Sequence, residues 1–179
     1  MLIISNVKGS FKYVFSPSTQ KAIKSLTSDY CMEIHHKSNF TVIKVLDFPS
    51  RLVFSIWWHS NHVNVTGVKS ISSLQTAVQN FESYTGLKVL SNSMQIDNIC
   101  PNSKCVLHIS LPQLCQAANR LPYFKAVLNR SYTPALYLKN CERGVCLIFR
   151  SGSVCFFGLN CFEKLEVFHN SICALMKTQ

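Results

Sequence analysis

Nine cysteines (31, 100, 105, 115, 141, 146, 155, 161 and 173) and six histidines are the residues most able to do chemistry in this 179-residue chain. Thiolate and imidazole are the usual ligands of zinc and the working pair of thiol catalysis. Their placement argues against both uses. Cys100-x4-Cys105, Cys141-x4-Cys146 and His59-x2-His62 do not combine into a usual structural zinc spacing, and only eight acidic residues are available as bases. No metal site, no cofactor and no enzymatic activity are therefore expected. An odd number of cysteines with no secretory segment before them reads as free, mostly buried thiols rather than a disulfide framework.

A second chemical signal is charge. Eighteen Lys and Arg against eight Asp and Glu give +10 at neutral pH, which favours a polyanionic partner, nucleic acid or an anionic membrane. Lys37, Lys44, Arg51, Lys69, Lys139 and Arg150 are candidates to meet phosphates. With 47% hydrophobic and 15% charged residues the chain should pack a true core, which excludes the disordered class. No run of 18 apolar residues is present, so a soluble intracellular protein is expected.

The elements that must position these residues occur twice. Ile3-Ile-Ser-Asn6-Val returns as Met94-Gln-Ile-Asp-Asn98-Ile, and Val53 to Gly67 returns as Gly144 to Gly158, an offset of about 91 residues. Asn6 and Gly67 are 61 apart, Asn98 and Gly158 are 60 apart, and Ser60 to Gly67 matches Ser151 to Gly158. Residues 1–90 and 91–179 therefore read as two repeats of one unit.

Each repeat has an Asn-bearing strand, then a helix whose start is marked by Ser16-Pro17 or by Ser110 with Pro112. Next come the β-rich runs Phe40–Leu46, Arg51–Trp58 and His62–Thr66, matched by Ala135–Lys139, Val145–Arg150 and Ser153–Phe157. Amphipathic helices close the repeats, with Ile71, Leu74, Val78 and Phe81 on one and Phe162, Leu165, Phe168, Ile172 and Leu175 on the other. Alternation puts Phe54, Ile56 and Trp58 on one sheet face and Val145, Leu147 and Phe149 on its counterpart. Two helices per repeat cover one face, so the apolar opposite face needs another layer or a ligand.

The order and spacing of these pieces resemble the core domain of the TATA-binding protein over nearly the whole chain. Val65-Thr66-Gly67-Val68-Lys69-Ser70 is similar to the family's Val-Thr-Gly-Ala-Lys-Ser, Cys146-Leu-Ile-Phe149-Arg-Ser-Gly152 to its Leu-Leu-Ile-Phe-Val-Ser-Gly, and Ile96-Asp-Asn98-Ile to its Ile-Gln-Asn-Ile. The resemblance implies an α+β saddle: a curved ten-stranded antiparallel sheet with four helices on its convex face. It also implies a nuclear transcription initiation factor, or a viral one in the host nucleus or a cytoplasmic replication site. Such a protein binds the minor groove of A·T-rich promoter DNA and bends it with inserted aromatic side chains. Its partners would be double-stranded DNA and the general transcription factors or polymerase machinery, with no membrane and no required homo-oligomer.

Carried over residue by residue, the resemblance puts Asn6 and Asn98 at the centre of the DNA site, where their amides meet minor-groove base edges. Phe40, Trp58 and Phe149 fall on wedge positions, Ile56, Leu147 and Thr66 line the groove, and Phe157 stands at the position paired with Thr66. The fourth wedge is Thr133, preceded by Tyr132: either Tyr132 substitutes or the second repeat wedges with one aromatic. Lys8 and Asn64 stand where the family has valine, and the second-repeat loop Asn129-Arg130-Ser131-Tyr132 lacks the family's acidic character. An alternative is an interaction protein that keeps the saddle fold and binds transcription factors without binding DNA.

Overall fold

The computed structural model describes residues 2–46, 51–128 and 134–177. Fourteen elements follow one another, and they fall into two compact units, Asn6–Asp97 and Asn98–Gln179 with Met1–Ser5. In the first half these are β1 (Ile3–Lys12), α1 (Pro17–Ser25), β2 (Met32–His36), β3 (Phe40–Val45), β4 (Leu52–Trp57), β5 (His62–Val68) and α2 (Ile71–Thr85). In the second they are β6 (Gln95–Lys104), α3 (Leu111–Asn119), β7 (Phe124–Leu128), β8 (Ala135–Asn140), β9 (Val145–Phe149), β10 (Ser153–Phe157) and α4 (Phe162–Lys177). The fold class is α+β, with ten strands in antiparallel sheet and four helices, as the resemblance implies.

The first unit has the strand order β2-β3-β4-β5-β1, and the second β6-β10-β9-β8-β7. Both contain the meander read from the turn residues. β2 and β7 are strands that the hydrophobic pattern did not reveal. Met32-Glu-Ile-His-His alternates too weakly to stand out, because it is an outer strand whose exposed face carries Glu33 and His35.

Local signals explain the helix ends. Ser16 accepts from the Thr19 amide while the Thr19 hydroxyl accepts from the Ser16 amide, and Ser110 and Gln113 repeat that capping box at α3. Gly86 closes α2 at φ 68°, a left-handed position that costs other residues backbone strain. Each unit packs its two helices on one sheet face around an aromatic group. In the first, Phe81 of α2 meets Phe11 and Phe54 at centroid distances of 4.8 and 5.2 Å. In the second, Phe168 of α4 meets Phe156 and Phe124 at 5.5 and 6.2 Å. These contacts, edge-on except for the tilted Phe124–Phe168 pair, bury the rings and fix the sheet face that each helix covers.

Among the described residues no helix is long and apolar enough to cross a membrane. None of the nine cysteines is in a disulfide, but only Cys146 is fully buried, so the expectation of mostly buried thiols does not hold.

Candidate nucleic-acid interface

The paired asparagines are structural before they are anything else. Asn6 Oδ1 accepts from the Gly67 amide at 2.8 Å, and Asn98 Oδ1 accepts from the Gly158 amide at 2.8 Å. Gly67 and Gly158 have φ of 91° and 80°, and a Cβ there would lie 1.7 Å from the Arg51 carbonyl oxygen and 2.6 Å from that of Arg143. The pairing register between β1 and β5 shifts at this point, between Val7 and Gly9. An Asn side chain thus ties down a glycine bulge in each half, which explains why the Asn-to-Gly distance recurs. The carbonyl oxygens are occupied. The amide nitrogens are what the two residues can still offer, and that of Asn98 also lies 3.1 Å from Cys100 Sγ.

On the face away from the helices, the first half presents Lys8 and Ser10 from β1, Asn64 and Thr66 from β5, Val53, Ser55 and Trp57 from β4, and Phe40 and Val42 from β3. Thr66 is half-buried there, opposite Val53. Phe40 faces Trp57 across the β3–β4 pair, with ring centroids 4.9 Å apart. This face is mostly polar, so the expectation of an apolar open face fails in the first half, around one aromatic pair.

Two assignments in the first half are corrected. Ile56 is fully buried on the helix-covered face, between Thr41 and Val63, and cannot line an exposed groove. Trp58 lies past the end of β4 and turns toward α1. Its Nε1 donates to Thr41 Oγ1 at 2.9 Å, the Gln20 amide donates to its carbonyl at 3.3 Å, and Lys24 Nζ sits 4.6 Å over its ring. The cause is turn length. The β4–β5 turn has four residues, 58–61, and the β9–β10 turn has three, 150–152. Counting back from the glycines therefore lands on Trp58, whereas counting forward from the asparagines lands on Trp57: 57 − 6 and 149 − 98 both give 51. Trp57 is the residue at the Phe149 position. Two adjacent tryptophans and an opposed Phe40 were the signals that could have found it.

The second half keeps the faces read from its sequence. Val145, Leu147 and Phe149 of β9 alternate with buried Cys146 and Ile148, so they share the open face. Leu147 lies between Cys155 and Tyr137, and Phe157 lies opposite Val145. Tyr137 in turn faces Val127. The result is an apolar strip of Leu147, Phe149, Phe157, Tyr137 and Val127 on one side of the sheet. The position opposite Phe149 is Ala135, which is buried. Tyr132 and Thr133, the other wedge candidates, lie outside the described residues.

Acidic charge in this half is kept off the open face. Lys104, Lys125 and Lys139 are exposed at strand positions of the open face, and Lys125 stands directly opposite Lys139. The three acidic residues between positions 98 and 179 are Glu142, Glu163 and Glu166. Two are on α4, and Glu142 pairs with Lys164 of α4 at 3.3 Å, on the helix side. Like charges facing each other across two strands repel, and a bound anion relieves that repulsion.

A solved structure described as Methanococcus jannaschii TBP superimposes on this chain with a TM-score of 0.77, covering 98% of each chain at 21% sequence identity. The fold is that of the TATA-binding protein. No protein-family model matches the chain. A comparison with curated proteins finds no match. The TATA-binding-protein fold is thus carried here by the alternation of core residues and the two Asn–Gly bulges, with four fifths of the residues changed.

Proposed function

We propose that this protein is a non-enzymatic, TATA-binding-protein-like DNA-binding factor that works without a cofactor and meets the minor groove of A·T-rich DNA with the open faces of its sheet. The observation that carries this reading is the second-half strip of Leu147, Phe149, Phe157 and Tyr137 with the facing pair Lys125 and Lys139 at its edge. Apolar side chains that displace groove water gain about 25 cal/mol per Å² of surface removed from water. Lysines beside them neutralise the flanking phosphates. Phe149 is the wedge of the second half, and Phe40 with Trp57 forms the aromatic pair of the first. Asn6 and Asn98 donate their remaining amide hydrogens to A·T base edges, whose minor-groove side offers acceptors only. Service in transcription initiation, in the nucleus or at a viral replication site, and contact with initiation factors follow from the same reading.

The test is fluorescence-detected binding and bending of an A·T-rich duplex against a G·C-rich one at several salt concentrations. The expected result is preference for A·T and a log–log salt slope of about −0.9 per neutralised phosphate, reduced by about 1 in each of Lys125→Gln and Lys139→Gln. Absence of duplex binding at low salt by the folded protein would overturn the reading. It would leave the interaction protein that binds factors and not DNA, which the polar open face of the first half favours.

A further inference from the structure

Three soft or borderline metal ligands meet in the second unit, away from the open sheet face. Cys105 directly follows β6, while His169 and Cys173 stand four residues apart on one face of α4. The sulfurs of Cys105 and Cys173 are 3.1 Å apart, and Cys173 Sγ is 3.5 Å from His169 Nε2. All three ligand atoms lie within 4.8 Å of one another, and all three residues are half-buried. We propose that Cys105, His169 and Cys173 form a zinc site of two thiolates and one imidazole, with its fourth position open to water or an added ligand.

The geometry favours a metal over a disulfide. With Zn–S of about 2.3 Å and Zn–N of about 2.05 Å, tetrahedral angles separate two sulfurs by about 3.8 Å and a sulfur from a nitrogen by about 3.5 Å. The Cys173–His169 distance already has that value, Cys105 Sγ lies within 4.8 Å of the imidazole nitrogen, and the sulfurs need to part by under about 1 Å. A disulfide would have to close them to about 2.05 Å and would leave the imidazole without a task.

The ligands are also held in place. The Cys105 amide donates to the Gly152 carbonyl at 2.9 Å, and Gly152, at φ 79°, lets the Cys105 carbonyl oxygen come within 2.1 Å of where a Cβ would stand. The His169 ring packs edge-on against Phe156 at 5.7 Å. Burial and the neighbouring Cys105 hold the Cys173 thiol above its ordinary value, so a metal must displace its proton. Binding is not a redox step. Zn²⁺ gains two Zn–S bonds and one Zn–N bond, and the two thiol protons leave to solvent. The ion would staple α4 to the end of β6.

The experiment uses the full chain, reduced and metal-free, titrated with Co²⁺ and then Zn²⁺. One equivalent of Co²⁺ should produce a thiolate-to-cobalt charge-transfer band and the intense visible bands of a tetrahedral site. Binding of either ion to the metal-free protein should release about two protons per ion, and Zn²⁺ should displace Co²⁺ with no further release. Cys105→Ser and Cys173→Ser should lower cobalt affinity by more than about 100-fold, with His169→Gln shifting the visible bands. Cys141→Ser, at an exposed turn, should change nothing. Circular dichroism checks that each variant is folded. If a variant is not, the wild-type spectrum and proton count decide alone: absence of the charge-transfer band overturns the site. So do bands that persist in folded Cys105→Ser and Cys173→Ser proteins.

Discussion

The adjacent tryptophans separate a residue that holds the fold from one that is free to meet a ligand, and two alanine substitutions should divide the two roles. Trp58 is half-buried between Thr41 and α1, with one indole hydrogen bond at 2.9 Å and a lysine 4.6 Å above its ring. Truncating a fully buried Trp costs about 3–5 kcal/mol, so half of that is the packing share for a side chain partly open to solvent. The lost hydrogen bond adds about 1 kcal/mol and the cation–π contact about 0.5. Trp58→Ala should therefore destabilise by about 3–4 kcal/mol. Trp57 is 39% exposed and packs mainly on Phe40 at 4.9 Å, an aromatic pair worth about 0.5–1.5 kcal/mol. Trp57→Ala should cost about 1 kcal/mol of stability and most of the first half's contribution to duplex bending. Urea unfolding supplies the first quantity and end-to-end fluorescence transfer on an A·T-rich duplex the second. If Trp58→Ala abolishes bending at unchanged stability while Trp57→Ala bends normally, the register assigned to the β4–β5 turn is wrong.

Asn98→Ala leaves the exposed Gly158 amide without its side-chain acceptor and should cost about 0.5–1.5 kcal/mol in urea unfolding. An unchanged midpoint would mean that water replaces the side chain freely. Gly67→Ala should be worse than Gly158→Ala, because its Cβ would lie 1.7 Å rather than 2.6 Å from a backbone oxygen, and thermal melts should rank them in that order. Under native conditions a thiol reagent should label exposed Cys141 readily and spare Cys146, whose thiol burial pushes far up, until the protein unfolds. Mass mapping showing early modification of Cys146 would contradict the packing of β9. Glu33 titrates below the usual carboxylate range because Lys44 donates to it and lies beside it, with His35 adding a further hydrogen bond. Its stabilising effect is present above the unfolded carboxylate value and lost as pH falls through the folded one. Glu33→Gln should flatten the acid limb of stability against pH, and a curve parallel to wild type would refute the ion pair's role.

Local chemistry made much of the fold legible. Seryl caps, glycine stops and i, i+3/i+4 apolar spacing depend on residues close in sequence, so α1, α2, α3 and α4 were readable without knowing what they pack against. The Asn and Gly recurrences were legible for a different reason, since each pair is joined by one hydrogen bond across some sixty residues and neither partner can move alone. What failed was register. A one-residue difference between two turns flips every side chain before it to the other face, and only the adjacent tryptophans at the end of β4 signal it, because Val53, Phe54 and Ile56 suit either side. The Cys105, His169 and Cys173 group was missed because its first member is 64 residues from the next; only the four-residue His-to-Cys step on a helix hinted at it.

Sheet alternation also explains how one fold can carry two unlike surfaces. Positions facing the helices are tied to Phe11, Phe54 and Phe81 in one half and Phe124, Phe156 and Phe168 in the other, and replacing a buried ring costs several kcal/mol. The intervening positions pay no such penalty, so the first half holds Ser55 and Thr66 where the second holds Leu147 and Phe157. A ligand that needs apolar contact then finds its main grip in the second half. Phe149→Ala should weaken A·T-rich duplex binding more than Phe40→Ala, even though Phe40 has an aromatic neighbour and Phe149 faces only Ala135. Competition binding of the two variants checks this order. Equal losses would mean that wedging depends on the aromatic pair itself and not on the apolar strip around it.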